Sequence, residues 1–247
     1  MTFAEALRSF LSYEEEAQSV SIAAWDRSIP FMAELAERDG NKLYRRDVFA
    51  AAREDDLKGA VFALVWGYPA GHTDFRTRDQ EVNLQAAMRN LEPVAHTIHS
   101  IRHYGCTDKN PLKRLNENPG LRTASTSKIA YFAGLEHKNS RCLILDQQVM
   151  RAILTEAYPE LDDLRLALAK RDHAAPFPPG FESRMVDAPR SYPVYISGMA
   201  DLAARLDHEF KVDEIERFLF ELGREIGRTP KTKRWTTLSK SVLPLAA

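Results

Sequence analysis

Apolar residues recur at three- and four-residue intervals over most of this chain, a period that suits helices and not strands. Residues 2–20 set Phe3, Leu7, Phe10 and Leu11 on one face. A second helix is expected from Ile29 to Arg38, stopping at Asp39-Gly40. The run Ala60-Val-Phe-Ala-Leu-Val-Trp66 is short and β-branched enough for a strand, but its alanines and helical neighbours favour a buried helix. Residues 80–102 carry Leu84, Met88, Leu91, Val94 and Ile98 along a stripe that Pro93 kinks or divides. Further helices are expected over 128–135, 147–157, Val194–Asp207 and Asp213–Gly227, the last with Ile215, Phe218, Leu219, Leu222 and Ile226 on one face. The expected fold class is therefore all-α.

Between these periodic stretches lie breaks rich in turn formers. Gly67-Tyr68-Pro69-Ala70-Gly71-His72 ends the run before it. The segment 105–125 is polar and carries Lys109, Lys113, Arg114 and Arg122. The short connection Glu136–Arg141 suits a tight helical hairpin or corner, and Pro176, Pro178, Pro179 and Gly180 predict a long loop over 160–185. The stretch from Arg45 to Lys58 reads as charged, and the tail from Thr229 to Trp235 is basic with one aromatic. No internal repeat is present.

Composition removes several classes of function. A hydrophobic fraction of 44% and a charged fraction of 28% are those of a globular protein. The net charge of −1 excludes a basic coat, though a local stripe of Lys and Arg still suffices to neutralise phosphates. Two cysteines, Cys106 and Cys142, cannot ligate a four-cysteine cluster or build a disulfide framework. No stretch reaches the ~20 apolar residues a membrane span needs, and the N-terminus is acidic where a signal peptide is basic. A cytoplasmic, nucleoid-associated protein is expected, with no membrane partner. No carboxylate cluster has the spacing of a metal-dependent nuclease. No metal and no cofactor is expected.

Chemistry concentrates in Ser127-Lys128-Ile-Ala-Tyr-Phe132 and Leu143-Ile-Leu-Asp146-Gln-Gln-Val-Met-Arg151. Lys128 is expected in the first turn of its helix, where the dipole disfavours a cation. That placement, and burial, would lower its pKa. Asp146 follows three apolar residues and precedes Val149, Met150, Ile153 and Leu154, the pattern of an N-cap. Taken singly, a surface lysine and a plain helix cap would account for both residues.

The combined pattern S-K-x-x-x-F…L-x-L-D-x-x-V-x-R-A-I resembles the catalytic core of the helix-hairpin-helix DNA glycosylases, in particular their 8-oxoguanine branch. The segments Tyr192-Pro-Val-Tyr195 and Glu216–Arg224, and the turn Trp66-Gly67-Tyr68, resemble family features too. The family's hairpin has two glycines just before its lysine; here the stretch is Ala124-Ser-Thr-Ser127, whose hydroxyls would serve as phosphate donors instead. The resemblance implies a two-lobed helical fold with a cleft between lobes, in one unit spanning 1–247. Its lobes would be 80–190, with the hairpin, and 1–79 plus 191–247. It implies a monomer acting on double-stranded DNA that contains an altered base.

The implied roles follow. Lys128 would attack the sugar C1′ and displace the base, leaving a Schiff base competent for strand-nicking β-elimination. Asp146 would stabilise the cationic sugar. Trp66, Tyr68, Phe132, Tyr192 and Phe220 are candidate walls for the flipped base, though each suits the core better than a pocket. Lys113, Arg114, Arg122, Ser125, Ser127 and Arg141 are candidates for the DNA backbone. An oxidised purine such as 8-oxoguanine is the favoured target. Two alternatives stand beside it: a glycosylase removing a hypermodified base, such as glucosylated cytosine, from phage DNA as antiviral defence, and a non-catalytic helical DNA-binding module.

Overall fold

A computed structural model describes residues 1–13, 17–71, 84–105, 110–169, 184, 186 and 190–228. His72, residues 80–83, Cys106, Lys109, the Pro176–Gly180 region and the 229–235 tail lie outside the described residues. The fold is mainly helical, with two small two-stranded sheets among the described residues. The chain divides into two compact units, one of Met1–Glu14 with Leu143–Ala247, the other of Glu15–Cys142. The boundary at 142/143 falls inside the 80–190 stretch that the family resemblance assigns to one lobe. Among the described residues no helix is long and apolar enough to cross a membrane.

In the continuous unit, strand β1 (Gln18–Ser19) pairs antiparallel with β2 (Lys42–Leu43), bracketing a short helix α2 (Met32–Ala36). The helix expected over 29–38 is thus confined to its middle. The charged stretch is itself a helix, α3 (Arg45–Glu54), burying Val48, Ala51 and Ala52 on one face. Asp55 ends α3 in an extended conformation and caps α4 (Asp56–Gly67), accepting from the Lys58 amide at 2.7 Å. Every residue from Lys58 to Trp66 is buried, so the run for which the sequence favours a buried helix over a strand is the unit's central helix. Gly59 permits the tight α3–α4 corner: a Cβ there would lie 2.5 Å from the Ala52 Cα.

Pro93 does divide the next stripe, into α5 (Leu84–Met88) and α6 (Glu92–Tyr104), sitting in the first turn of the latter, where proline is tolerated. Then come α7 (Pro111–Leu115) and α8 (Thr123–Phe132). Arg102 on α6 ties these together, pairing with Asp56 and donating to the Ala133 carbonyl at the end of α8 (2.7 Å). The corner after α8 is a hairpin, β3 (Glu136–His137) with β4 (Ser140–Arg141). Lys138 and Asn139 adopt positive φ there (49° and 68°), the geometry a two-residue hairpin turn requires.

The other unit joins both ends of the chain. Helix α1 (Phe3–Leu11) starts with a reciprocal Thr2–Glu5 capping box and is shorter than the periodicity of residues 2–20 suggests. Helix α9 (Gln147–Thr155) packs most extensively on the closing helix α12 (Val212–Arg228), and α10 (Asp162–Ala169) on α11 (Ser191–Arg205). The first part of the expected 160–185 loop is therefore helical. Leu164 and Leu168, one turn apart, are buried and hold it. The core of this unit runs from Phe3 and Leu7 through Val149, Ile153, Tyr195 and Met199 to Phe218 and Leu222.

Candidate active site

The lysine belongs to the continuous unit. Helix α8 begins at Thr123, five residues earlier than periodicity places it, so Lys128 sits in the second turn and not the first. Of the polar run that opens the helix, Ser125, Thr126 and Ser127 are buried. Thr126, 0% exposed, donates to the Asn116 side-chain oxygen at 2.7 Å, fastening α8 to the segment after α7. Ser127 donates back to the Ala124 carbonyl at 3.3 Å. Ser125 meets the Tyr68 hydroxyl at 3.0 Å. Ser125 and Ser127, expected as phosphate donors, are therefore engaged inside the unit, their hydroxyls drawn in by helix and aromatic neighbours.

Lys128 is only 2% exposed. Its Nζ donates to the Ala124 carbonyl at 3.3 Å and stands 5.2 Å from the centre of the Tyr68 ring. Its stem lies against Gly67, where a Cβ would come within 2.4 Å of the lysine Cδ. The 67–71 turn is held by Ser21, whose amide donates to the Pro69 carbonyl at 2.7 Å.

Beside the lysine lies an aromatic cluster. Trp66 and Phe132 meet edge to face at 5.3 Å, and Phe49 meets Phe132 at 4.9 Å. The Arg45 guanidinium lies 4.9 Å from the Trp66 ring centre and donates to the Tyr131 hydroxyl at 3.3 Å. Arg141, exposed on β4, spans the Phe49 and Tyr131 rings at 5.1 and 5.0 Å. Of the expected pocket walls in this unit, Trp66 and Phe132 are core and Tyr68 is half-buried. Lys113 and Arg114 stand on α7, exposed and half-buried, and Arg122, half-buried, precedes α8.

The aspartate belongs to the other unit. Asp146 caps α9 as its sequence pattern predicts: one carboxyl oxygen accepts from the Gln148 amide at 2.9 Å and the Val149 amide at 3.2 Å. Two tyrosines on one face of α11 fix the chain that delivers it. The Tyr192 hydroxyl accepts from the Leu143 amide and donates to the Leu143 carbonyl, both at 3.2 Å. Tyr195 donates to the Ile144 carbonyl at 3.0 Å. Tyr192, expected at a pocket wall, is 3% exposed and holds backbone. Phe220 is half-buried on α12. The 192/195 spacing was the available signal for the Tyr195 clamp, and the Trp66-Gly67-Tyr68 turn for Gly67; nothing local marks Arg45.

Helix α9 ends at Glu156, whose buried Oε1 has no hydrogen-bond partner among the described residues. Burial pushes this carboxyl up from 4.5 to about 7, with Arg165 opposing. Between those values the folded chain holds a proton that the unfolded chain has released, so this group's contribution to stability is present at acid pH and falls as pH rises. The expected slope is at most about 1.4 kcal/mol per pH unit. Melting wild type and Glu156→Gln across pH 4–8 checks this, since the variant should lose that component; parallel curves refute it.

With this geometry in place, residues 12–220 match the family described as "putative 8-oxoguanine DNA glycosylase OGG-like protein". The chain belongs to this family. Membership in the OGG-like family makes the function that of a DNA glycosylase and the substrate class DNA. No curated protein and no solved structure matches the chain. Among the described residues no group of three or more His, Cys, Asp or Glu side chains is placed to hold a metal ion.

Proposed function

We propose that this OGG-like chain excises an oxidised purine, 8-oxoguanine, from double-stranded DNA by a lysine Schiff-base route, with the helix-hairpin-helix glycosylase architecture. The observation that carries the proposal is the Lys128 amine, 2% exposed and held beside a half-buried tyrosine ring, in a chain of an OGG-like family. Burial disfavours the charged form of an amine, and the neutral form is the nucleophile.

The Lys128 nitrogen attacks C1′ as the bond from C1′ to the base nitrogen breaks. The base leaves with that electron pair and takes up the proton the attacking nitrogen sheds. Ring opening then gives an imine. Loss of a C2′ proton expels the 3′ phosphate, so strand nicking follows excision. Asp146 stabilises the positive charge that builds on the sugar. Its cap bonds fix the carboxyl through rigid backbone donors. Tyr68, Phe220 and the edge of the Trp66–Phe132 cluster are the proposed walls for the flipped base. Lys113, Arg114, Arg122 and Arg141 are the proposed backbone contacts. The protein acts as a monomer at the nucleoid in this reading.

Duplexes carrying one altered base each, including 8-oxoguanine, other oxidised or alkylated purines, uracil and glucosylated hydroxymethylcytosine, test it. Wild type is expected to excise 8-oxoguanine. Asp146→Asn keeps the cap, since asparagine accepts the same amide bonds about as well. It should therefore melt with wild type while excising about 10²- to 10³-fold more slowly. Excision confined to the glucosylated base would replace the substrate with phage-type DNA. Binding without excision of any base would replace the enzyme with a binding module.

A further inference from the structure

Two pairs of consecutive residues, on two elements, meet the Lys128 side chain or hold what meets it. From the end of α4 come Gly67 and Tyr68; from α8, one turn before the lysine, come Ala124 and Ser125. Gly67 vacates the space the stem fills, for a Cβ there would lie 2.4 Å from Cδ and 2.7 Å from Cε. The helix breaks at Tyr68 (φ −134°, ψ 61°), and the ring turns back over α8 with its centre 5.2 Å from Nζ. The Tyr68 hydroxyl and Ser125 Oγ, 3.0 Å apart, then fix the ring's tilt. The Ala124 carbonyl receives the amine on the other side at 3.3 Å.

We propose that Tyr68 is a positioning residue for the Lys128 amine, its ring seating the amine and its hydroxyl, through Ser125, holding the ring. The proposal rests on Lys128 being the nucleophile. The two parts of the side chain do separable things. A ring face attracts the ammonium form over the neutral amine, the more so away from water. Removing the ring therefore lets the amine shed its proton at lower pH. Removing only the hydroxyl leaves that balance and loosens the geometry of attack. The charges on elements packed against α8 include Arg45 on α3 over Trp66 and Tyr131, Lys58 on α4 paired with Glu34 and Glu54, Asp56 with Arg102, and Lys113 and Arg114 on α7.

The test is borohydride trapping on a duplex with a single abasic site, a probe that forms the imine whatever base the enzyme prefers, with the rate followed from pH 5 to 9. Tyr68→Leu should move the midpoint of the rising limb to lower pH by about half to one unit. Tyr68→Phe should keep the wild-type midpoint and trap roughly 2- to 10-fold more slowly. Ser125→Ala should behave as Tyr68→Phe does. A Tyr68→Leu protein with the wild-type midpoint, whatever its rate, overturns the positioning role and leaves the Lys128 reading standing. A Lys128→Ala protein that traps at the wild-type rate overturns the Lys128 reading itself.

Discussion

Lys128→Ala is expected to bind duplex DNA, to form no borohydride adduct, and to excise at least about a thousandfold more slowly than wild type. The size of the loss follows from the step removed. Without the amine no nitrogen reaches C1′, and only charge stabilisation by Asp146 and positioning of the base remain. Because the stem fills space against Gly67 and is 2% exposed, alanine also leaves a cavity. Lys128→Met separates the two effects, since it nearly restores the stem's volume while supplying no nucleophile. The methionine variant should melt near wild type and be as inactive as alanine. Full base excision by either variant would place the nucleophile elsewhere.

Gly223→Ala is expected to be the most damaging single-methyl change in the unit that carries Asp146. Helices α9 and α12 cross so closely at this point that a Cβ on Gly223 would lie 1.9 Å from the Gln148 carbonyl oxygen and 2.6 Å from its carbon. Both are backbone atoms, so no rotamer change relieves the overlap and one helix must shift. A cost of about 3 kcal/mol is expected, at the upper end for overpacking. Gly227→Ala, one turn along the same helix, meets the Arg151 side chain at 2.4 Å, which can swing aside. It should cost well under half as much. Gln148 is also the residue whose amide holds Asp146, so a shifted α9 carries the carboxyl with it and lowers activity even in protein that remains folded. Chemical denaturation of the two variants side by side checks the contrast, and equal stabilities would refute it.

Local patterns were legible in the sequence where one element decides them. Asp146 is a cap because the residues around it make it one, and its two amide bonds lie within three residues. The buried helix of Ala60–Trp66 and the division at Pro93 were legible for the same reason. Helix α8 was not. Its opening Thr and Ser side chains compete with the backbone and favour turns when exposed, but here burial and back-bonding keep Thr126 and Ser127 helical. Helix α3 was hidden because its arginines mask a buried face, one of them turned inward over Trp66. The surroundings of Lys128 were hidden for a third reason: Gly67 and Tyr68 reach it only through the packing of α4 on α8. The family pattern marked the lysine itself, and the fold supplied what holds it.

The division of the chain also sets an order of assembly. Residues 15–142 are contiguous, so the whole of the unit around Lys128 is available once the ribosome has released that stretch. The unit around Asp146 draws on α1 (Phe3–Leu11) and on α12 (Val212–Arg228), and must wait until the chain has been made through residue 228. Lys128 is seated early and Asp146 is capped late, so a nascent chain carries a finished lysine before it carries a finished carboxyl.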